Sequence, residues 1–328
     1  MPLRATTSRL PRRTSALISL SAAAGLAVTA LAAPAGAAVT GQTGSLTCSS
    51  VDLAHLTAPD GAVLRDRPTY ALSDMAAQQR DLRSRIAAMK VKPDLNKRVD
   101  IPVAFHVITE DDTPAGGNVP RTMIRAQMKV LNHAYRGKTD DVAPESARTP
   151  FHFHLKSVDR TRNADWFRHP DEKANELAMK KALKVGGYET LNIYTVDLYD
   201  VGLLGFAYLP YHPAGVKDGV VMETQSMPGG TAKPYDEGDT ATHEVGHFLG
   251  LYHTFDHGCN KRGDFVPDTP FEKEPSFHCS ELGRDSCPQP GLDPIQNFMD
   301  YPEDSCMNQF TRGQRKQMIL AWYAYRAG

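Results

Sequence analysis

The residues with the clearest chemical meaning are His243-Glu244-Val245-Gly246-His247 and the stretch Phe248-Leu249-Gly250-Leu251-Tyr252-His253 that follows. On a helix, His243 and His247 stand four residues apart and project from one face, the spacing at which two imidazoles share one tetrahedral zinc ion. Gly250 can take the left-handed conformation that ends a helix, and the turn then brings His253 round as a third nitrogen ligand. Three neutral ligands leave the fourth position to a water whose pKa the metal lowers toward neutrality. Glu244 lies beside the ligands without being one, so it is placed to take that water's proton, and the chemistry implied is hydrolysis of a peptide bond. The five-residue core alone arises by chance in about one chain in a hundred of this size, and Gly250 and His253 make coincidence much rarer. The rival reading is a non-catalytic, zinc-stabilised extracellular binding protein. It leaves Glu244 without a role, because a structural site normally has four protein ligands and needs no base.

The elements that position these residues follow from periodicity. Thr240 and Thr242 are reasonable caps for the histidine helix. Upstream, Ile101 to Thr109 reads as a strand, and Ile124, Met128, Leu131 and Tyr135 form an apolar stripe at helical spacing. Residues 151–156 alternate as a half-buried strand does, with His152 and His154 on the outward side as surface residues. A shorter helix around Glu176 to Lys184 stops at Gly186-Gly187, and strands follow at Leu191 to Tyr199, Leu203 to Tyr208 and Gly219 to Glu223. The order implies an α/β (α+β) domain, a mixed sheet backed by helices.

Charge and composition set the context. Lys plus Arg number 37 and Asp plus Glu 38, a balance that argues against an electrostatic nucleic-acid binder. The balance is uneven along the chain: residues 1–98 hold 13 basic and 6 acidic side chains, leaving 24 and 32 for residues 99–328, a net of −8. Arg4, Arg9, Arg12 and Arg13 precede an uncharged apolar run from Ala16 to Ala33 that ends at Ala35-Gly36-Ala37. Residues 1–37 therefore read as a secretory signal peptide, by the general or the twin-arginine route, and the product as a secreted, extracellular protein with no stable membrane association once the signal is cut. Residues 38–98 carry a net +3 and one helix, Ser73 to Met89, with Met75, Leu82, Ile86 and Met89 on one stripe. They read as a prosegment docked by charge complementarity and cut at Arg80, Arg83, Arg85, Lys97 or Arg98. Cys48 lies in it, and a thiolate delivered to the open zinc position would keep the proform latent. Cys259, Cys279, Cys287 and Cys306 sit in a Gly- and Pro-rich stretch, where four cysteines allow three pairings.

The sequence from Thr242 to Phe255, with Asn297-Phe298-Met299-Asp300-Tyr301, resembles the metzincin metallopeptidases, and among them the pappalysin family with its bacterial cytophagalysin-like members. The resemblance runs from about Ile101 to Arg326 and includes Leu191-Asn192-Ile193-Tyr194, Gly205-Phe206-Ala207 and Gly263-Asp264-Phe265-Val266-Pro267-Asp268-Thr269-Pro270. It implies a catalytic domain over residues 99–328. An upper subdomain to about residue 250 would hold a twisted five-stranded sheet and two long helices, and an irregular lower subdomain would span 251–328. It implies one catalytic zinc ion, Met299 as the Met-turn beneath the imidazoles, Tyr301 reaching toward the metal, and the pairing of Cys259 with Cys287 and Cys279 with Cys306. Protein or peptide substrates would lie extended along edge strand 203–208, and the enzyme would act as a monomer. Calcium would bind near Asp264, Asp268 and Thr269, and Glu303 and Asp304 are candidates for favouring a basic residue just after the scissile bond.

Overall fold

The computed structural model describes residues 70–139, 146–211, 215–260 and 262–327. The expected signal peptide, residues 38–69 and with them Cys48 lie outside the described residues.

Strand β1 (Val99–Thr109) is buried from Val103 onward, as expected of an apolar run enclosed on both faces. It pairs in parallel with β2 (Phe151–Arg162) on one side and β3 (Leu191–Val196) on the other. Next to β3 comes β5 (Val220–Glu223), also parallel, and then β4 (Gly205–Ala207), antiparallel to β5 at the sheet's edge. The order is β2-β1-β3-β5-β4. The stretch expected as a strand over 203–208 is continuous strand only at 205–207: Leu204 still accepts the Glu223 N–H of β5, and its side chain packs with Ala232 and Tyr235.

Helices α2 (Arg121–Tyr135) and α5 (Asp239–Phe248) cover one face, where Ile124, Leu131, Ala241 and Val245 pack with Val103, Phe105, Val107 and Met222. The other face carries α3 (Ala164–Arg168), too short to show a period in sequence, and α4 (Lys173–Leu183). Here α4 buries a charged pair: Lys180 Nζ lies 2.9 Å from Glu176, with the rings of Phe206 and Tyr208 around the ammonium. The Tyr208 hydroxyl donates to Glu176 at 3.0 Å, so the far end of the edge strand is tied to α4. On β2, His154 is exposed while His152 is half-buried against Arg136.

After Gly250 the chain has little regular structure until α6 (Arg312–Ala321), capped at Thr311 by a reciprocal bond with Gln314. Cys259 is bonded to Cys287 and Cys279 to Cys306. Arg284 is the polar centre of this region, donating to Glu272, Glu281 and Asp293 at 2.5 to 2.8 Å. One further helix, α1 (Leu72–Ala88), packs on the domain ahead of β1. Among the described residues no helix is long and apolar enough to cross a membrane.

Candidate active site

All ten residues of α5 are buried. Its N-terminus is not capped by Thr240 or Thr242, which lie inside the helix. The cap comes instead from Asp304, whose Oδ2 accepts the N–H groups of Glu237, Gly238 and Asp239 at 2.9, 3.1 and 3.4 Å. A carboxylate here satisfies orphan donors and complements the positive end of the helix dipole. The helix stops at Gly250, whose φ of 97° only glycine adopts without strain. There Gly250 N–H donates to His247 and Leu251 N–H to Gly246, a Schellman ending that turns the chain so that His253 faces back to the helix.

His243, His247 and His253 converge, all buried. Nδ1 of His243 lies 2.7 Å from the Phe298 carbonyl oxygen and Nδ1 of His247 2.8 Å from that of Leu251. Each Nδ1–H therefore donates to a carbonyl, which leaves Nε2 as a lone pair. Nε2 of His247 is 3.1 Å from Nε2 of both His243 and His253. Lone pairs this close repel unless a cation lies among them, and ligands on tetrahedral bonds of about 2.0 Å sit about 3.3 Å apart. The donor set fits zinc. Asp256 orients the third ligand: its Oδ2 accepts the His253 N–H at 3.1 Å and lies 3.5 Å from Nδ1.

Glycines allow two close approaches. A Cβ on Gly205 would lie 2.7 Å from Glu244 Oε1, so the edge strand passes directly over the carboxylate. A Cβ on Gly246 would lie 2.3 Å from Met299 Sδ, so the methionine sits against the helix backbone. Met299 is held from below, its N–H donating to Asn297, which exchanges two side-chain bonds with Gln314 of α6. The Tyr301 ring packs on Phe255 and His253, and its hydroxyl reaches to 3.2 Å from His253 Nε2. Beneath this floor Asp300 accepts the Ser276 N–H, and burial pushes its carboxyl well above the usual carboxylate range.

Other expected residues are placed differently. Asp304 caps α5, and Glu303 lies beside His278. Asp268 is taken up at the start of α6, accepting from the Thr311 hydroxyl and the Gly313 N–H, which separates its role from that of Asp264. Asp264 is buried beside Thr269, and burial pushes its carboxyl up against the pull of the Val266 N–H.

Residues 186–321 match the metallopeptidase family model described as pregnancy-associated plasma protein-A. Extracellular metalloprotease 1 of Coccidioides posadasii is 43% identical over 241 residues, covering 72% of this chain and 81% of that protein. The chain belongs to the pappalysin family. An extracellular metalloprotease of Verticillium alfalfae is 44% identical over 237 residues, covering 70% of this chain and 78% of its own length. Among solved structures, mature mirolysin of Tannerella forsythia in complex with a cleaved peptide superposes with a TM-score of 0.60 at 27% identity, over 71% of this chain and 99% of that one. A promirolysin mutant of the same bacterium gives 0.64 at 25% identity, over 76% and 87%. This pappalysin-family chain is thus a zinc metalloprotease, with the α/β fold of its relatives.

Of the site residues, Asp256 is not evident from the motifs, and for Gly205, Gly246 and Asp304 it is the role that the motifs do not give. The acid three residues after a metal-ligating histidine is a signal for Asp256. The others depend on contacts between distant parts of the chain.

Proposed function

We propose that this chain is a secreted endopeptidase, made as a zymogen, that cleaves extracellular proteins or peptides with Glu244 as its general base. The observation that carries the reading is the triangle of imidazole nitrogens, those of His243 and His247 freed as lone pairs by Nδ1–H bonds to carbonyls, adjoining a buried carboxylate that is not a ligand. His243, His247 and His253 would hold the zinc ion, which when bound acidifies a water and polarises the scissile carbonyl. Glu244 receives the water's proton and delivers it to the departing amine. The Tyr301 hydroxyl donates a hydrogen bond to the oxygen that gains charge during attack. Backbone groups of β4 pair with an extended substrate, and the bare Cα of Gly205 lets that strand close over Glu244.

Secretion is supported by the leader at residues 1–37 and by the extracellular metalloproteases among the relatives. A zymogen is supported by likeness to a promirolysin, and latency through Cys48 by the sequence, as the one cysteine outside the two disulfides. Calcium, if held at the 263–269 loop, would have Asp264 and Thr269 for ligands, with Asp268 otherwise engaged. The test of the central reading is hydrolysis of casein or a quenched peptide by the matured protein. Activity abolished by o-phenanthroline and restored by zinc supports it. A protein that binds zinc yet cleaves nothing would point to the binding-protein alternative.

A further inference from the structure

Helix α1 falls in the stretch whose charge marks it as a removable prosegment, but its seat on the domain is apolar and aromatic. Met75 and Leu82 are buried in one cluster with Leu209, Tyr211, Tyr252 and Ala321. Two glutamines on the same face are buried as well, and both meet tyrosine hydroxyls: Tyr252 donates to Gln78 at 2.5 Å, and Gln79 lies 3.5 Å from Tyr211. Charged groups meet the floor at the rim, where Asp81 accepts from Tyr325 and Arg85 lies over the Tyr325 ring. A segment docked by net charge would show the reverse pattern, with ion pairs at the centre.

The residues beneath α1 carry the active-site turn. Tyr252 precedes His253, and the Tyr211 hydroxyl donates to the Gly250 carbonyl at 2.5 Å. Met75 Sδ lies 2.9 Å from His257 Nε2. Removing α1 would expose this floor and two glutamine-paired tyrosines directly behind a zinc ligand. The basic residues on α1, Arg80, Arg83 and Arg85, are exposed, yet a protease needs an extended segment, and extending the helix lifts Met75 and Leu82 from the core. The link to β1 is held too: Arg315 donates to the Leu95 carbonyl and the Asn96 side chain at 2.7 and 2.9 Å, and Arg98 is paired with Asp100.

We infer that α1 is a permanent part of the catalytic unit, docked on the Tyr211–Tyr252–Tyr325 floor, and that the activating cut falls before Tyr70. The inference deepens the zymogen reading by moving the boundary of the removable segment from residue 98 to a point ahead of α1.

The experiment uses the full chain carrying Glu244→Gln, which cannot process itself, so its outcome does not depend on whether the protein is a protease. The chain is digested with trypsin under native conditions, in low salt and in about 1 M NaCl, and the surviving core is weighed by mass spectrometry. The core is expected to begin ahead of Leu72 in both salts. Cuts at Arg80, Arg83 and Arg85 should be about 100-fold slower than in a synthetic peptide of residues 70–98. Met75→Asp with Leu82→Asp should abolish that protection. A core that begins at residue 99 or beyond, or helix cuts as fast as in the free peptide, overturns the inference.

Discussion

Gly246→Ala sets two calculable effects against each other. In a helix interior, alanine is favoured over glycine by about 1 kcal/mol. At this position the new methyl carbon would lie 2.3 Å from Met299 Sδ and 3.2 Å from its Cε. That is more than 1 Å inside ordinary contact (~3.5–4.0 Å), and Met299 is fully buried, so it must leave its rotamer within a filled core. Overpacking of this kind costs about 1–3 kcal/mol, so the sum is a net loss of up to about 2 kcal/mol. Displacing Met299 also disturbs the backbone on which His243 Nδ1 rests, since the acceptor is the Phe298 carbonyl. The assay is urea unfolding of Gly246→Ala, Met299→Ala and the double variant as a cycle, with zinc content measured alongside. Met299→Ala alone should cost about 2–5 kcal/mol. In its background Gly246→Ala should become neutral or stabilising, because the clash is gone and the helix preference remains. Gly246→Ala more stable than the parent by the full helix preference, or an effect that is the same with and without Met299, would refute the reasoning.

Tyr301→Phe removes only the hydroxyl, so kcat should fall about 100-fold with unchanged thermal stability, and an unaltered kcat would reduce Tyr301 to packing. Asp304→Ala should lower stability by about 1–2 kcal/mol, by stripping the acceptor from three N–H groups at the start of α5, while the preferred residue after the scissile bond stays the same. A changed preference would return Asp304 to the substrate pocket. Glu223 is buried with its carboxylate accepting from Leu198, Tyr199 and Gln225, and burial outweighs those bonds to lift its pKa from 4.5 to about 7. The folded state therefore holds a proton that the unfolded chain releases, and stability should fall as pH rises from 4.5 to 7, by on the order of 3 kcal/mol at most. Unfolding of Glu223→Gln across that range should show this slope flattened, from a lower baseline because its amide nitrogen faces backbone donors, and an unchanged slope would assign the loss to other groups.

Much of the site was legible because it is local. The spacing of His243 and His247, the stop at Gly250 and the return of His253 follow from helix geometry over eleven residues. Periodicity likewise located β1 and α2 to within two or three residues. What sequence could not show was which distant residue meets which. Asp304 reads as a candidate for substrate preference beside the Met-turn, and only the fold carries it to the N-terminus of α5. Asp268 reads as a cation ligand beside Asp264, yet α6 starts within its reach and uses it. The apolar stripe on α1 announced a buried face, but its net charge pointed to an electrostatic seat when the partners are tyrosines. The edge strand is shorter than its β-forming run suggested, with Leu204 packed against Ala232 and Tyr235 just before it.

The most direct test of the account is metal analysis and peptide hydrolysis measured together on Glu244→Gln. Because Glu244 is a base and not a ligand, the variant should retain one zinc per chain and the parental fold while losing hydrolysis by several orders of magnitude. Full activity in that variant, or loss of zinc with the carboxylate, would contradict the assignment on which the rest depends.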